Sequence, residues 1–201
     1  KDTAVEAEAL KKENLQTQLD LLKSQINPHF LFNNFSSLAS LILEDQQKAV
    51  EFVEELATVY RYLLQANTRT LCTLKEELGF IDAYFRLISN RFGEGIVLKK
   101  NMGEKLMNHR LPALTLQLLV ENAIKHNAVL PDQPLVIELN TGSDERMEVM
   151  NNIQPKRSPV VSGKTGLANI IRKYELLEQP PVEIENTGTE FKVIVPLIKP
   201  E

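Results

Sequence analysis

Apolar residues recur at helical spacing through the first third of the chain, and at mixed spacings beyond it. Leu15, Leu19, Leu22 and Ile26 follow one another at intervals of four, three and four, the seam of a coiled coil. Traced backwards, the seam meets Lys12 and Glu8 and weakens. It predicts a helix over residues 1–26 that pairs with a second helix, with a lone amphipathic helix packed on its own domain as the alternative. Asn27-Pro28 interrupts the pattern. Proline lacks the backbone N–H, so it either kinks a continuous helix or starts a new one; Asn27 would make a good cap and Pro28 a good first helical residue, and both versions stand. Beyond it, Leu31, Phe35, Leu38 and Ile42 form an apolar stripe. His29, Asn33, Ser36 and Ser40 form a second stripe at the same spacing, wholly polar or small. Asp45 can cap a further helix, in which Ala49, Val53, Leu56, Tyr60 and Leu63 repeat as far as about Ala66. Two such helices predict an antiparallel hairpin. Each stripe is too wide for the other to cover, so two hairpins from two chains would close a four-helix bundle.

The texture changes after Asn67–Thr73, a polar stretch without periodicity and the candidate boundary. Thr73 and Glu76 have the spacing of a capping box, predicting a helix to about Phe92 that Gly93 and Gly95 terminate. Residues 95–102 read as a strand, and Pro112 as the opening of an apolar helix to about Asn127. Leu135–Asn140 and Arg146–Asn151 read as a hairpin, 152–165 as a loop, Thr165–Leu177 as a helix, and 182–186 with 190–197 as a closing hairpin. Hairpins with interspersed helices predict an α+β fold, an antiparallel-rich sheet covered on one face by helices.

Composition narrows the function classes only a little. The 201 residues are 43% hydrophobic and 25% charged, ordinary for a globular protein. A formal net charge of −4 gives no basic surplus for nucleic acid. One cysteine, Cys72, excludes an internal disulfide and suits a reducing compartment. No apolar run approaches a bilayer span, and no signal peptide is recognisable. The chain begins at Lys1, so the expectation is a fragment whose membrane segments, if any, lie upstream.

Two stretches carry candidate chemistry. In "LLVENAIKHN", Asn122, Lys125 and His126 stand at i, i+3 and i+4 of a helix and share one face. An amide oxygen can ligate Mg²⁺, which prefers oxygen, and lysine offers a point charge to phosphate. "SGKTGLANI" is a glycine-containing loop running into a helix, where backbone N–H groups favour phosphate. "GKT" is not a P-loop, because no glycine stands at Val160 or just before it.

The succession of "NPHFLFN", "LVENAIKH", a strand ending in Asn151-Asn152, and "TGLANI" resembles the LytS-type sensor histidine kinases, over about Leu22 to Leu197. Such proteins join a helical phosphoacceptor segment to a GHKL, or Bergerat-fold, ATP-binding domain. The resemblance implies a coiled-coil signalling helix over 1–26, a dimerisation and phosphoacceptor hairpin over 27–70, and a Bergerat-type α/β sandwich over 71–201. It implies His29 as phosphoacceptor and Asn122 as the Mg²⁺ ligand. Lys125 and His126 would contact phosphates or ribose, Asn151 the adenine, and Gly163 with Thr165-Gly166-Leu167 would end a mobile ATP lid. Asn33, one turn beyond His29, could hold its tautomer. The implied partners are a response regulator and a second copy of the chain, in the cytoplasmic part of an inner-membrane sensor, with ATP and Mg²⁺ as cofactors.

The chain departs from the pattern in two places. An Asp-x-Gly-x-Gly motif is usual where this chain reads Asn151-Asn152-Ile153-Gln154-Pro155, and Lys164 stands where the lid commonly has glycine. A neutral acceptor in place of a charged one predicts binding weaker by roughly 1 kcal/mol. These departures support a second reading, a signalling scaffold of the same fold that binds nucleotide poorly. A third, an ATP-hydrolysing enzyme, is disfavoured because Leu118 holds the place of the water-activating glutamate and Glu121 points about 100° away from Asn122.

Overall fold

The computed structural model describes residues 28–66, 68–142, 144–156 and 165–200. The seam helix expected over 1–26, the Asn27 cap, Gly163 and Lys164 lie outside them. The chain divides into two compact units, 1–53 and 54–201.

In the first unit, α1 spans Pro28–Glu44 and α2 spans Gln46–Ala66, running on into the second unit. Pro28 is the first described residue of α1. Asp45 alone separates the helices. Its Oδ1 accepts from the backbone N–H of Gln47 and of Lys48, both at 3.1 Å, which starts α2 as the sequence predicts. In this unit Ala49 and Phe52 are buried, whereas Phe32, Phe35, Ile42, Leu43, Val50 and Val53 are exposed.

The second unit contains a five-stranded sheet. Its strands are β2 (Ile96–Asn101), β4 (Leu135–Thr141), β5 (Arg146–Asn152), β6 (Glu183–Asn186) and β7 (Glu190–Pro196), in the order β2-β4-β5-β7-β6. β2 runs parallel to β4, and every other pairing is antiparallel. Leu135, Ile137 and Leu139 alternate with half-exposed neighbours along β4, as do Met147, Val149 and Asn151 along β5, the period-two pattern of a sheet covered on one face. The covering helices are α3 (Leu74–Phe92), α4 (Thr115–His126) and α5 (Thr165–Leu176). The α+β class is as expected. No described helix is long and apolar enough to cross a membrane.

The capping box forms as read: Glu76 N–H donates to Thr73 Oγ1 at 3.2 Å, and Thr73 N–H to Glu76 Oε2 at 2.8 Å. Two expectations fail. Leu71–Thr73, taken as the end of a polar boundary stretch, is a strand, β1, paired antiparallel with β3 (Arg110–Pro112). Pro112 therefore lies in a strand opposite Leu71, and α4 begins only at Thr115. Between them Leu114 adopts a left-handed φ of 68° and supplies no side-chain cap. Glu77 of α3 caps α4 instead, its carboxylate accepting from Leu114 N–H at 2.8 Å and Leu116 N–H at 2.9 Å.

Candidate functional site

A cavity of about 550 Å³ opens at the C-terminal end of α4, within the roughly 300–1,000 Å³ usual for ligand sites. It is lined by Asn122, Ala123, His126 and Asn127 from α4 and its end, by Asn151, Ile153 and Pro155 from the end of β5, and by Leu167, Ala168 and Ile171 of α5. Asn186 and Phe191, from β6 and β7, complete the lining among the described residues. Strand register brings those two there: Asn151 lies opposite Phe191 on β7, and Phe191 opposite Asn186 on β6.

Four residues singled out from the sequence, Asn122, His126, Asn151 and Leu167, thus meet on one cavity. Lys125 is exposed and outside the lining. Thr165 is the first described residue of α5, and a Cβ added at Gly166 would meet nothing within 4 Å. His29 is the second described residue of α1, and Asn33 is half-buried one turn on. Their polar companions Ser36 and Ser40 are exposed. Asn127, Asn186 and Phe191 escaped the sequence reading. Asn127 reads only as the last residue of a helix, and the other two come from a hairpin with no motif.

Hydrogen bonds fix the polar wall. Asn151 is buried, and its Nδ2 donates to Asn152 O at 2.7 Å. That sets the amide's orientation and leaves Oδ1 without a donor among the described residues. Asn152 in turn ties the strand end to β4, accepting from Val136 N–H at 2.8 Å and donating to Pro134 O at 3.1 Å. The apolar lining (Ile153, Leu167, Ile171, Phe191) can hold a flat ring against an amide acceptor.

The end of α4 is cationic. Lys156 Nζ donates to Ile124 O at 3.0 Å and Lys125 O at 2.7 Å, satisfying carbonyls that a helix leaves open and opposing its negative pole. Burial, then the charges of Lys125 and Lys156, hold the His126 imidazole below its ordinary 6.5. Burial and the nearby Arg91 also lower Lys156. These groups discourage further protons and favour anions. An apolar slot with one amide acceptor, a rim of cations and an amide oxygen on Asn122 can take a ligand that is flat at one end and anionic at the other. ATP with Mg²⁺ fits that donor set.

Comparison with known proteins places the chain among sensor kinases. The family model described as "Histidine kinase" matches residues 17–96. The chain is 33% identical to the sensor protein LytS of Bacillus cereus, over 95% of this chain and 36% of that protein. It is 32% identical to LytS of Oceanobacillus iheyensis, over 74% and 26%, and 36% identical to the sensor histidine kinase BtsS of Escherichia coli, over 55% and 20%. It therefore spans about a third or less of the length of these relatives.

Proposed function

The chain belongs to the LytS-type sensor histidine kinases, and from that premise we propose that it is the kinase portion of such a sensor, phosphorylating its own His29 with ATP. The observation that most supports this is the convergence of Asn122, His126, Asn151 and Leu167, from three separate sequence segments, on one cavity. Asn151 Oδ1 accepts from the adenine amino group. Phe191, Ile153 and Ile171 flank the base. His126 and Lys125 meet phosphate or ribose oxygens, and Asn122 is the residue that would hold Mg²⁺ through its amide oxygen. Bound there, the ion neutralises phosphate charge and orients the chain of phosphates. Gly163 and Thr165-Gly166-Leu167 form the end of the lid.

His29 supplies the acceptor nitrogen. Its lone pair forms the N–P bond as the bond from the γ-phosphorus to the bridging oxygen breaks, ADP leaves, and the ring then releases its proton to water. Asn33, one turn on, holds the ring tautomer. The phosphoryl group passes from His29 to an aspartate of a response regulator. Residues 1–26 act as the signalling helix, 27–70 as the acceptor hairpin and 71–201 as the ATP-binding domain. The exposed Phe32, Phe35, Ile42, Leu43, Val50 and Val53 form an apolar surface suited to a second copy, giving a dimeric four-helix bundle. The chain then sits on the cytoplasmic side of a membrane sensor, anchored through other segments.

The test is incorporation of radiolabel from γ-labelled ATP. An acid-labile phosphoryl group that His29→Gln abolishes is expected, and label persisting in that variant overturns the assignment. A second reading, a scaffold that binds nucleotide poorly, is favoured by one observation, the neutral amide at Asn151. Calorimetry with a non-hydrolysable ATP analogue and Mg²⁺ separates the two: affinity tighter than about 1 mM, roughly −4 kcal/mol, excludes the scaffold.

A further inference from the structure

Glu77 is wholly buried and belongs to neither the acceptor nor the cavity. Its Oε1 accepts from Tyr62 Oη at 2.7 Å and Leu114 N–H at 2.8 Å, and its Oε2 from Leu116 N–H at 2.9 Å. A buried carboxylate needs such donors, and here they come from two different helices. Tyr62 lies on α2, the helix that continues from the His29 helix through Asp45. Leu114 and Leu116 form the start of α4, whose far end carries Asn122 and His126. Lys173 of α5 adds a third tie, donating to Ala113 O at 2.8 Å.

A second path leaves the same tyrosine. Its ring stacks on Phe80 with centroids 4.4 Å apart, and Phe80 stacks on Tyr84 at 5.8 Å. Tyr84 Oη then donates to Glu121 at 3.0 Å, the residue next to Asn122. Tyr62 is therefore joined to α4 twice, through its hydroxyl at the helix start and through a column of rings at its middle. A side chain needed only to fill space would require neither the hydroxyl nor its bond.

We propose that Tyr62 is a positioning residue: acting through Glu77, it makes the setting of the nucleotide helix α4 depend on α2. The consequence for nucleotide rests on the kinase reading above; the coupling of α2 to α4 does not. The link is a pair of discrete contacts, so it is open to a double-mutant cycle, the measurement that separates coupling from mere proximity.

The variants are Tyr62→Phe, which keeps the ring stack and removes the hydroxyl, Glu77→Gln, and both together, each checked for an intact cooperative unfolding transition. Calorimetry with a non-hydrolysable ATP analogue is expected to show Tyr62→Phe weakening affinity by about fivefold, the scale of a modest coupling energy. The double variant should bind no more weakly than Glu77→Gln alone. An affinity unchanged in Tyr62→Phe, or strictly additive losses, overturns the proposal. If Glu77→Gln does not fold, Tyr62→Phe decides alone, through the amide resonances of Asn122 and His126. Those resonances also decide if the parent protein binds no nucleotide, a result that sinks the kinase reading separately. Their movement in Tyr62→Phe supports the coupling. Perturbation confined to the neighbours of position 62 refutes it and leaves Tyr62 a packing residue.

Discussion

Asn127 and Gln154 clasp two walls of the cavity: Gln154 N–H donates to Asn127 Oδ1 at 2.7 Å, while Gln154 O accepts from Ala128 N–H at 2.7 Å. Asn127 is buried and its Nδ2 donates back to Ala123 O at 2.8 Å, so both ends of one amide are used. Asn127→Ala strands the buried Gln154 N–H, while Ala123 O keeps its bond from the backbone N–H of residue 127 at 3.2 Å, and should lower unfolding free energy by about 1–3 kcal/mol, the cost of one unsatisfied group. Asn127→Asp keeps the acceptor and loses the donor, so it should fall between the two. Urea unfolding gives the order; an Asp variant less stable than the Ala variant contradicts it.

His126 should titrate below its ordinary 6.5, because burial and the charges of Lys125 and Lys156 oppose its protonation. Above 6.5 the folded and unfolded states both carry a neutral ring, and the group makes stability independent of pH. As pH falls through 6.5 the unfolded chain takes the proton first, so stability drops until the folded ring also protonates. An NMR titration of the imidazole is expected to give a depressed midpoint that Lys156→Gln moves upward. A midpoint at or above 6.5 in the parent removes the electrostatic account of this rim.

Asn151 and the carboxylate usual in such sites are not simple substitutes here. The Asn151 amide donates to Asn152 O at 2.7 Å, a bond an aspartate cannot make. Asn151→Asp should therefore lose about 1 kcal/mol of stability, or more from carboxylate–carbonyl repulsion, while gaining a stronger acceptor for an amino group. Its net gain in affinity for an adenine nucleotide should stay below about tenfold, against a loss of about tenfold for Asn151→Ala. Calorimetry paired with thermal unfolding measures both. A large gain in affinity without loss of stability shows that the Asn152 bond does not matter.

Local signals were legible and distant ones were not. The Thr73–Glu76 box, the Asp45 cap and the β4–β5 hairpin need only neighbouring residues, and all three form. Leu71–Thr73 is a strand because Arg110–Pro112 pairs with it from nearly forty residues away, which no local pattern announces. Pro112 is a plausible helix opener by itself. The start of α4 moves to Thr115 because Glu77, from another helix, supplies the cap. The cavity divides in the same way. Asn122 and His126 could be paired from helical periodicity, whereas Asn186 and Phe191 reach Asn151 only through strand register.

Glu121 adjoins Asn122 in sequence, yet the two are expected to behave oppositely on substitution. The Glu121 carboxylate accepts from Tyr84 Oη at 3.0 Å and from Gln117 Nε2 at 2.9 Å, and Glu121 is not among the residues lining the cavity. Asn122 lines it. A base that activates water, or draws the proton from an acceptor, must reach the reacting atoms within about 3 Å. Glu121 is already committed to a tyrosine hydroxyl and a glutamine amide. Glu121→Gln should keep acceptors for both partners and leave the rate of phosphoryl incorporation within about threefold of the parent. Asn122→Ala removes the candidate metal ligand and should lower that rate by about a hundredfold or more, the scale seen when one transition-state contact is lost. Single-turnover labelling at saturating nucleotide separates the two. A Glu121→Gln loss matching that of Asn122→Ala would identify the carboxylate as a participant in the chemistry and would reopen the ATP-hydrolysing alternative.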